Sequence, residues 1–339
     1  MEKLLFGPVR MKHIKAAFEP ENPEFFILCD ENTRRYCLDI FLEEMSIPFL
    51  VLPAGDAHKN WDSCQAIWDF AFEKGFSRKA VCINLGGGML CDLGGMSASL
   101  YKRGLRFVHV PTSLLSMVDA SVGGKTGINF RGLKNALGLF SEPERVYIDN
   151  SWLSSLPQIE LLSGKAEMIK HSLISDIDRF DDWCNAHIPA EADIRKSISM
   201  KQEIVQQDPK ESGVRKMLNL GHTAGHAVES LLLQQDRALP HGICVAAGLI
   251  IEMYVAESIG FAEKGVFDAY TKKIKNIFGK LELKEEDAQA WLAYILGDKK
   301  NSDSDIRAVL LKRPGEVHID IKVEEEAWLN AYKKYIHEN

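Results

Sequence analysis

The 339-residue sequence predicts an α/β N-terminal domain followed by a mostly α-helical C-terminal domain. Over the first 150 residues, short apolar runs alternate with segments of helical spacing, which predicts a parallel sheet with helices on both faces. After about residue 150 the strand-like runs nearly vanish. We therefore expect two domains, residues 1–150 and residues 151–339, each long enough to bury a core, with a cleft between them.

The predicted elements follow one another in the order that a parallel sheet requires. Apolar runs predict strands at residues 25–30, 48–52, 80–85, 106–110 and 146–149, and helical spacing predicts helices at residues 37–45 and 61–74. From residue 159 onward helical patterns dominate, with one late strand expected at residues 306–311. Ligands of parallel sheets bind beyond the carboxyl ends of the strands, where glycine and aspartate residues cluster in this sequence.

Composition and charge argue against several classes of protein. Apolar residues make up 46% and charged residues 26%, as in a globular protein. The net charge of −7 and the lack of a basic stripe argue against nucleic-acid binding, although a local Lys and Arg cluster can still bind an anionic substrate. Seven cysteines without CxxC spacing predict buried thiols. No stretch approaches about 18 apolar residues, so we expect a soluble, cytoplasmic protein and no membrane partner.

The most informative segment contains Arg215, Asn219, His222 and His226. Their spacings of 4, 3 and 4 place them within about 60° of one another on a single helix. The residues between them are largely small or apolar, whereas a surface helix would carry Lys and Glu on its polar face. This polar stripe on an otherwise apolar helix indicates a functional site. The other interpretation is a pair of core histidines whose hydrogen bonds are satisfied.

Further candidate metal ligands lie on either side of this segment. Glu167 and Lys170 are one helical turn apart in an apolar context, and His241 precedes another apolar helix. Imidazoles together with a carboxylate leave one coordination position open, as a catalytic zinc ion requires. Taken alone, a histidine in the position of His241 is more often a helix cap or a surface residue.

Glycines mark a candidate phosphate site in the N-terminal domain. Gly86-Gly87-Gly88 follows a predicted strand, and Asp92 comes four residues later. Glycines let the backbone approach phosphates closely, and helix N-termini favour negative charge. The segment lacks the GxGxxG pattern, and a tight turn is the alternative interpretation.

A third cluster contains Asp119, the Gly124-Lys125-Thr126 sequence and Lys134-Asn135. A P-loop is excluded because Asp119 stands where that motif requires its first glycine. Two lysines and an asparagine on a glycine-rich segment instead suit an anionic substrate. Arg103, just before the preceding strand, adds positive charge.

Four phrases of the sequence, in their order, resemble the 3-dehydroquinate synthases, which are members of the sugar-phosphate cyclase family. The phrases are VPTSLLSMVDASVGGKTGIN, LKNALGLF, GKAEMIKH and LNLGHTAGHAVE, and the resemblance covers roughly residues 25–315. It implies a Rossmann-like NAD-binding domain, a helical metal- and substrate-binding domain, and a homodimer in which Arg103 reaches the neighbouring site.

The resemblance also implies a role for individual residues. The ligands of a catalytic divalent metal, usually zinc and in some cases cobalt, are Glu167, His222 and His241. The NAD contacts are Asp30, Asn32, Asp56, Lys59, Gly87, Gly88, Asp92 and Thr112, with Asp119, Lys125 and Lys134 on the cleft shared with the substrate. The substrate contacts are Arg103, Asp119, Lys134, Asn135, Lys201, and Lys299 or Lys300. The catalytic set is His226, Lys125, Lys170, Arg215 and Asn219.

The implied reaction converts 3-deoxy-D-arabino-heptulosonate 7-phosphate to 3-dehydroquinate and phosphate, in the shikimate pathway of aromatic amino-acid biosynthesis. Arg215 and Lys201 suit the substrate carboxylate, since a guanidinium binds it through two hydrogen bonds. NAD takes hydride from the C5 hydroxyl and later returns it, and zinc acts as a Lewis acid. His226 is the candidate for proton transfer at that hydroxyl.

Departures from the family pattern and three rival functions remain, and Cys91 before Asp92 is one of the departures. Ile243 stands where the family usually has Glu, and Asp56 stands where Glu is typical. The rivals are a sibling cyclase that makes 2-deoxy-scyllo-inosose or a valiolone, a metal-dependent alcohol dehydrogenase of the glycerol-dehydrogenase type, and a catalytically silent protein that senses NAD or metal. Arg215 and Lys201 argue against the first, because its substrate has no carboxylate.

Overall fold

The structure is a computed structural model that describes residues 3–131, 133–297 and 306–338. The chain divides into two compact units, Met1–Pro157 and Gln158–Asn339. The division follows a 3₁₀ segment, Asn150–Ser155, whereas the sequence predicts a boundary at residue 150.

The first unit is built on a six-stranded parallel sheet. Its strands, in sheet order, are β1 (Leu4–Phe6), β8 (Arg145–Ile148), β5 (Arg106–Pro111), β4 (Val81–Gly86), β2 (Phe25–Asp30) and β3 (Phe49–Leu52). The central strand β4 is buried at every residue, which explains why it reads as a continuous apolar run. The predicted α/β class is confirmed, and the five predicted strands lie within one residue of the observed bounds at every end. Strand β1 was not predicted.

Helices of the first unit connect these strands. They are α1 (Met11–Ala17), α2 (Glu31–Thr33), α3 (Asp39–Leu42), α4 (Trp61–Glu73) and α5 (Gly88–Leu100), with a π-helical segment, Arg34–Leu38, joining α2 to α3. The π-helical segment and α3 together replace the helix predicted at residues 37–45. This helical stretch begins before residue 37 and ends before residue 45. A two-stranded antiparallel sheet, β6 (Lys125–Phe130) with β7 (Leu133–Phe140), was not predicted.

Helix α5 lies close to strands β4 and β6 because two of its residues are glycines. A Cβ on Gly94 would lie 2.0 Å from Asn84 Oδ1, and one on Gly95 would lie 2.6 Å from Thr126 Cγ2. Such separations are far below van der Waals contact. Gly94 and Gly95 thus allow α5 to pack closely against β4 and β6.

The second unit is mostly helical. It contains α6 (Gln158–Ser175), α7 (Arg179–Asn185), α8 (Glu191–Gln207), α9 (His222–Gln234), α10 (His241–Ser258), α11 (Asp268–Phe278), α12 (Ala288–Gly297) and α13 (Glu325–His337). An antiparallel pair, β9 (Ile306–Arg313) and β10 (Glu316–Val323), completes it. The late strand was predicted as part of β9, and β10 was missed.

Helix α10 forms the centre of this unit, with fifteen of its 18 residues buried. Among the residues that the structure describes, it is the one helix with the length and composition to cross a membrane, but 83% of that stretch is buried inside the unit. Core helices of soluble proteins meet the same criterion, so the finding carries little weight. All seven cysteines are buried thiols, as predicted.

Candidate active site

Helix α6 brings a buried carboxylate and a buried ammonium to the site in the second unit. Glu167 is fully buried and Lys170, one turn later, is 1% exposed, with its Nζ in ion-pair contact with Glu167 Oε2. Within the described ranges, neither oxygen of Glu167 accepts a hydrogen bond. A carboxylate without hydrogen bonds is costly to bury unless a cation neutralises it. Lys170 supplies that cation at Oε2, which leaves Oε1 as a buried carboxylate oxygen available to a metal ion.

His222 lies beside this carboxylate at the first position of α9. Its Nε2 is 3.7 Å from Glu167 Oε1, and its Nδ1 is 3.1 Å from the carbonyl oxygen of Leu220. A carbonyl can only accept, so Nδ1 carries the proton and Nε2 offers its lone pair towards Glu167. Burial, reinforced by the positive charge of Lys170, lowers the pKa of His222 well below its ordinary value. The neutral imidazole is the form that binds metals.

The predicted single helix through Arg215, Asn219, His222 and His226 is wrong. Arg215 and Asn219 lie in a 3₁₀ segment, Val214–Asn219, and α9 begins only at His222. Between them Gly221 has a φ of +79°, a left-handed conformation that interrupts the helix. His222 and His226 do share one face of α9, with ring centroids 5.1 Å apart.

His241 completes a cluster of three imidazoles. Its ring centroid lies 5.3 Å from that of His222 and 5.4 Å from that of His226, and one nitrogen of each ring lies within 4.8 Å of the others. The structure thus brings together Glu167, His222 and His241, the three predicted metal ligands, with His226 beside them. His226 is the exposed member of the group.

Two contacts that were not predicted hold His241 in place. Its Nδ1 is 3.2 Å from Oε2 of Glu229, a largely buried residue two turns after His222 on α9. A carboxylate on Nδ1 leaves Nε2 for a metal. The next residue, Gly242, donates its N–H to Ser163 Oγ over 3.0 Å, and a Cβ there would lie 1.9 Å from the Ser163 carbonyl oxygen. The two-turn spacing of Glu229 from His222 was the sequence signal that could have revealed the contact between Glu229 and His241.

Glu229 also resolves the first departure from the family pattern. Ile243 is buried, 6% exposed, and brings no carboxylate to the site. His241 nevertheless has a carboxylate partner, because Glu229 supplies it from the neighbouring helix.

A loop before the 3₁₀ segment fixes Arg215 and Asn219. Arg215 is 2% exposed, and its Nη1 donates to the carbonyl oxygen of Pro209 over 2.6 Å. The carboxylate of Asp208 accepts from the backbone N–H of Arg215 over 3.1 Å. Asn219 Nδ2 donates to Glu211 Oε1 over 2.7 Å. This contact of Glu211 with the candidate site residue Asn219 was not predicted from the sequence. The predicted substrate contact Lys201 is buried on α8.

In the first unit, five predicted residues form one charged cluster. Lys59 Nζ lies 3.1 Å from Asp92 Oδ2, 3.4 Å from Asp56 Oδ1 and 2.7 Å from Asn135 Oδ1. Lys134 Nζ lies 3.2 Å from Asp56 Oδ2. Burial, only partly offset by Lys59, raises the pKa of Asp92 to about 6. Burial acts in the same direction on Asp56, but the ammonium groups of Lys59 and Lys134 lower its pKa.

Other predicted cofactor residues lie at the carboxyl ends of the strands. Gly87 caps the N-terminus of α5 and Gly88 is its first residue, while Thr112 donates its N–H to the carbonyl oxygen of Gly86 over 3.0 Å. Asp30 instead caps a short helix, accepting from the Thr33 N–H over 2.7 Å. A helix N-terminus formed by glycines suits a phosphate.

The remaining predicted residues differ in exposure. Asn32, Arg103 and Lys125 are exposed, and Asp119 is half-buried in a π-helical segment, Ser116–Ala120. Lys299 and Lys300 lie outside the described residues.

Comparison with solved structures identifies the fold of this protein. 2-Deoxy-scyllo-inosose synthase, solved with carbaglucose-6-phosphate, NAD+ and Co2+, matches with a TM-score of 0.86 at 21% identity and covers 98% of this chain and 96% of that one. ValA, the 2-epi-5-epi-valiolone synthase of Streptomyces hygroscopicus solved with NAD+ and Zn2+, matches with a TM-score of 0.83 at 22% identity, covering 100% and 98%. The chain therefore has the fold of the sugar-phosphate cyclases, as predicted.

Sequence comparisons identify the family within this class. The models described as 3-dehydroquinate synthase N-terminal and C-terminal match residues 49–163 and 164–301. The 3-dehydroquinate synthase of Parabacteroides distasonis is 39% identical over 322 residues, covering 92% of this chain and 91% of that protein. This chain belongs to the 3-dehydroquinate synthase family, and the predicted membership is confirmed.

Proposed function

We propose that this chain is a 3-dehydroquinate synthase that converts 3-deoxy-D-arabino-heptulosonate 7-phosphate to 3-dehydroquinate and phosphate, with NAD and a divalent metal as catalytic cofactors. The observation that carries the proposal is the buried carboxylate of Glu167, which accepts no hydrogen bond within the described residues and faces His222. The named relatives support the substrate, and the NAD, Co2+ and Zn2+ in the solved cyclases support the cofactors.

The proposed metal ligands are Glu167, His222 and His241. Two ligands of a tetrahedral zinc ion at bond lengths near 2.1 Å lie about 3.4 Å apart. The 3.7 Å between Glu167 Oε1 and His222 Nε2 fits that spacing and is too long for a hydrogen bond. Lys170 lies against the other oxygen, so Oε1 is the proposed ligand atom. When bound, the ion supplies Lewis acidity to substrate hydroxyls.

The substrate's carboxylate is assigned to Arg215, with Lys201 as a second cation. The Pro209 carbonyl holds the Arg215 guanidinium, and the Asp208 carboxylate holds the Arg215 backbone. The Arg215 side chain is therefore largely ordered before the substrate binds. Asn219 is fixed in the same way by Glu211, and we assign it to the phosphate end of the substrate. The exposed His226 next to the metal ligands is assigned to proton transfer at the reacting hydroxyl.

The first unit is the proposed NAD-binding part. The N-terminus of α5, which begins within Gly86-Gly87-Gly88, suits the pyrophosphate. The cluster of Asp56, Lys59 and Asp92 supplies polar contacts for the nucleotide. When bound, NAD supplies a reversible oxidation of a substrate alcohol, so no net NADH accumulates.

We further propose a cytoplasmic homodimer. The exposed position of Arg103 supports its assignment to the neighbouring subunit's substrate phosphate, and the buried cysteine thiols support a reducing compartment.

The test uses purified protein with the heptulosonate phosphate, NAD and Zn2+, followed by phosphate release and by mass spectrometry of the product. Phosphate and 3-dehydroquinate should form together. Arg215→Ala should lower kcat/KM at least about 100-fold, which corresponds to the loss of two charge-assisted hydrogen bonds. On a carboxylate-free sugar phosphate the same substitution should have a much smaller effect. Net NADH formation, or equal losses on both substrates, would overturn the proposal.

A further inference from the structure

A buried carboxylate with no part in the proposed chemistry lies on helix α10. Glu252 is 1% exposed and stands between Ile251 and Met253 in the most buried helix of the second unit. Burying a carboxylate among apolar side chains is expensive unless hydrogen bonds compensate for the lost water. The burial of Glu252 therefore depends on the hydrogen bonds that its carboxylate accepts.

Both carboxylate oxygens of Glu252 accept backbone N–H groups from the start of α9. Oε2 accepts from Gly221 over 2.5 Å, and Oε1 accepts from Ala224 over 3.1 Å. The first N–H groups of any helix have no partner within the helix, and the partial positive charge there favours an anion. A side chain at the N-cap usually meets this need, but the N-cap of α9 is Gly221. Glu252 takes over the capping role from another helix.

The capped turn is the one that carries His222. Gly221 lies between Leu220, whose carbonyl accepts from His222 Nδ1, and His222 itself. Gly221 also has a left-handed φ of +79°, so the chain changes direction at this residue. A carboxylate that accepts from the Gly221 N–H therefore fixes two neighbouring groups. One is the Leu220 carbonyl, which orients the imidazole ring, and the other is the backbone of His222.

We propose that Glu252 is a positioning residue for the metal site, capping α9 so that His222 presents Nε2 towards Glu167. The inference rests on the proposed metal-dependent function. It predicts that Glu252 determines metal affinity, although its carboxylate contacts the backbone behind the ligand and not the ion.

The test compares Glu252→Gln with Glu257→Gln. The amide introduced by Glu252→Gln keeps one acceptor but turns an N–H₂ towards a backbone N–H, so one cap bond is lost. Glu257 is a matched control on the same helix, because its carboxylate also accepts a backbone N–H, that of Gly265 over 3.1 Å, and pairs with Lys334 over 3.5 Å. Both substitutions should lower the midpoint of thermal unfolding of the metal-free protein by about 2–8 °C.

Metal binding then separates a positioning role from a merely structural one. Affinity for Co2+ is measured by its absorption bands in competition with a chelator, without substrate. Glu252→Gln should weaken Co2+ binding about 10- to 100-fold, the range for groups that orient ligands. Glu257→Gln should leave the Co2+ affinity within about threefold of the parent, below that range. Equal affinities in the two variants would overturn the proposal.

Two further outcomes are a Glu252→Gln variant that does not fold and a parent protein that binds no Co2+. If Glu252→Gln does not fold, Glu252→Asp is used, and the one-methylene-shorter carboxylate should fold and bind Co2+ more weakly than the parent. An Asp variant with parental affinity would refute the positioning role. If the parent protein itself binds no Co2+, the proposed function fails; if the parent binds and the Glu252 variants bind equally well, only this inference fails.

Discussion

The crossing of helices α9 and α10 offers the sharpest test of how the site is built. Gly248 on α10 faces the start of α9, and a Cβ there would lie 2.0 Å from the carbonyl oxygen of Gly221 and 2.6 Å from the nitrogen of Gly225. Both neighbours are backbone atoms, which cannot rotate away as a side chain can. Gly248→Ala therefore forces the two helices apart where α9 carries His222.

The size of the effect follows from this geometry. A Cβ and a backbone atom in ordinary contact lie at 3.4–4 Å, so the helices must separate by more than 1 Å at Gly248. Overpacking of a core usually costs 1–3 kcal/mol, and a clash with two backbone atoms belongs at the upper end, about 3 kcal/mol. For a unit of this size, about 2–4 °C per kcal/mol applies, so the midpoint of thermal unfolding should fall by roughly 6–12 °C.

Circular dichroism during heating of the metal-free protein measures this shift. Gly297→Ala is the control, because Gly297 also lies in a helix, α12, and a Cβ there would meet no atom within 4 Å. Alanine suits a helix better than glycine by up to about 1 kcal/mol, so the control should be neutral or slightly stabilising. A Gly248→Ala midpoint within about 2 °C of the parent, below the range expected for a 1 kcal/mol change, would refute the argument that backbone contact fixes this crossing.

Two other predictions concern single carboxylates. Glu229→Gln keeps an acceptor for His241 Nδ1 but removes its charge, and chelator competition should show about tenfold weaker Zn2+ binding; unchanged affinity would exclude Glu229 as its orienting partner. Because burial raises the pKa of Asp92 from 3.8 to about 6, its ionisation opposes folding, and its contribution to stability falls as the pH rises from 3.8 through 6. Urea unfolding should therefore show that Asp92→Asn gains stability relative to the parent between pH 4.5 and pH 7, whereas a difference independent of pH would contradict the assignment.

The sequence allowed prediction of those parts of the fold whose signals are local. Strands β2 and β4 are buried on both faces, so each reads as an uninterrupted apolar run and was predicted within one residue. Strand β7 is largely exposed, with Leu137 its one half-buried residue, and it was missed. Strand β10 does alternate, as EVHIDIKV, so its signal was present but overlooked.

The residues of the candidate site differ in how far the local sequence marks them. Glu167, His222 and His241 stand in contiguous motifs, and the structure brings them together. Glu229 and Glu252 contact residues 12 and 31 positions away, across separate helices. Apart from the two-turn spacing of Glu229 from His222, no local pattern indicates such contacts, because they depend on how α9 packs against α10.

The wrongly predicted continuous helix and the overlooked Glu252 have one physical origin. In an unbroken helix from Arg215 to His226, the N–H groups of Gly221 and Ala224 would bond to carbonyls within the helix, and a buried carboxylate beside them would have no partner. The break at Gly221 frees these N–H groups at the residue before His222. Glu252 then becomes necessary, because a buried helix start with unpaired N–H groups is costly. The Glu252 carboxylate thus stabilises the break at Gly221, which separates Arg215 and Asn219 from the two histidines of α9.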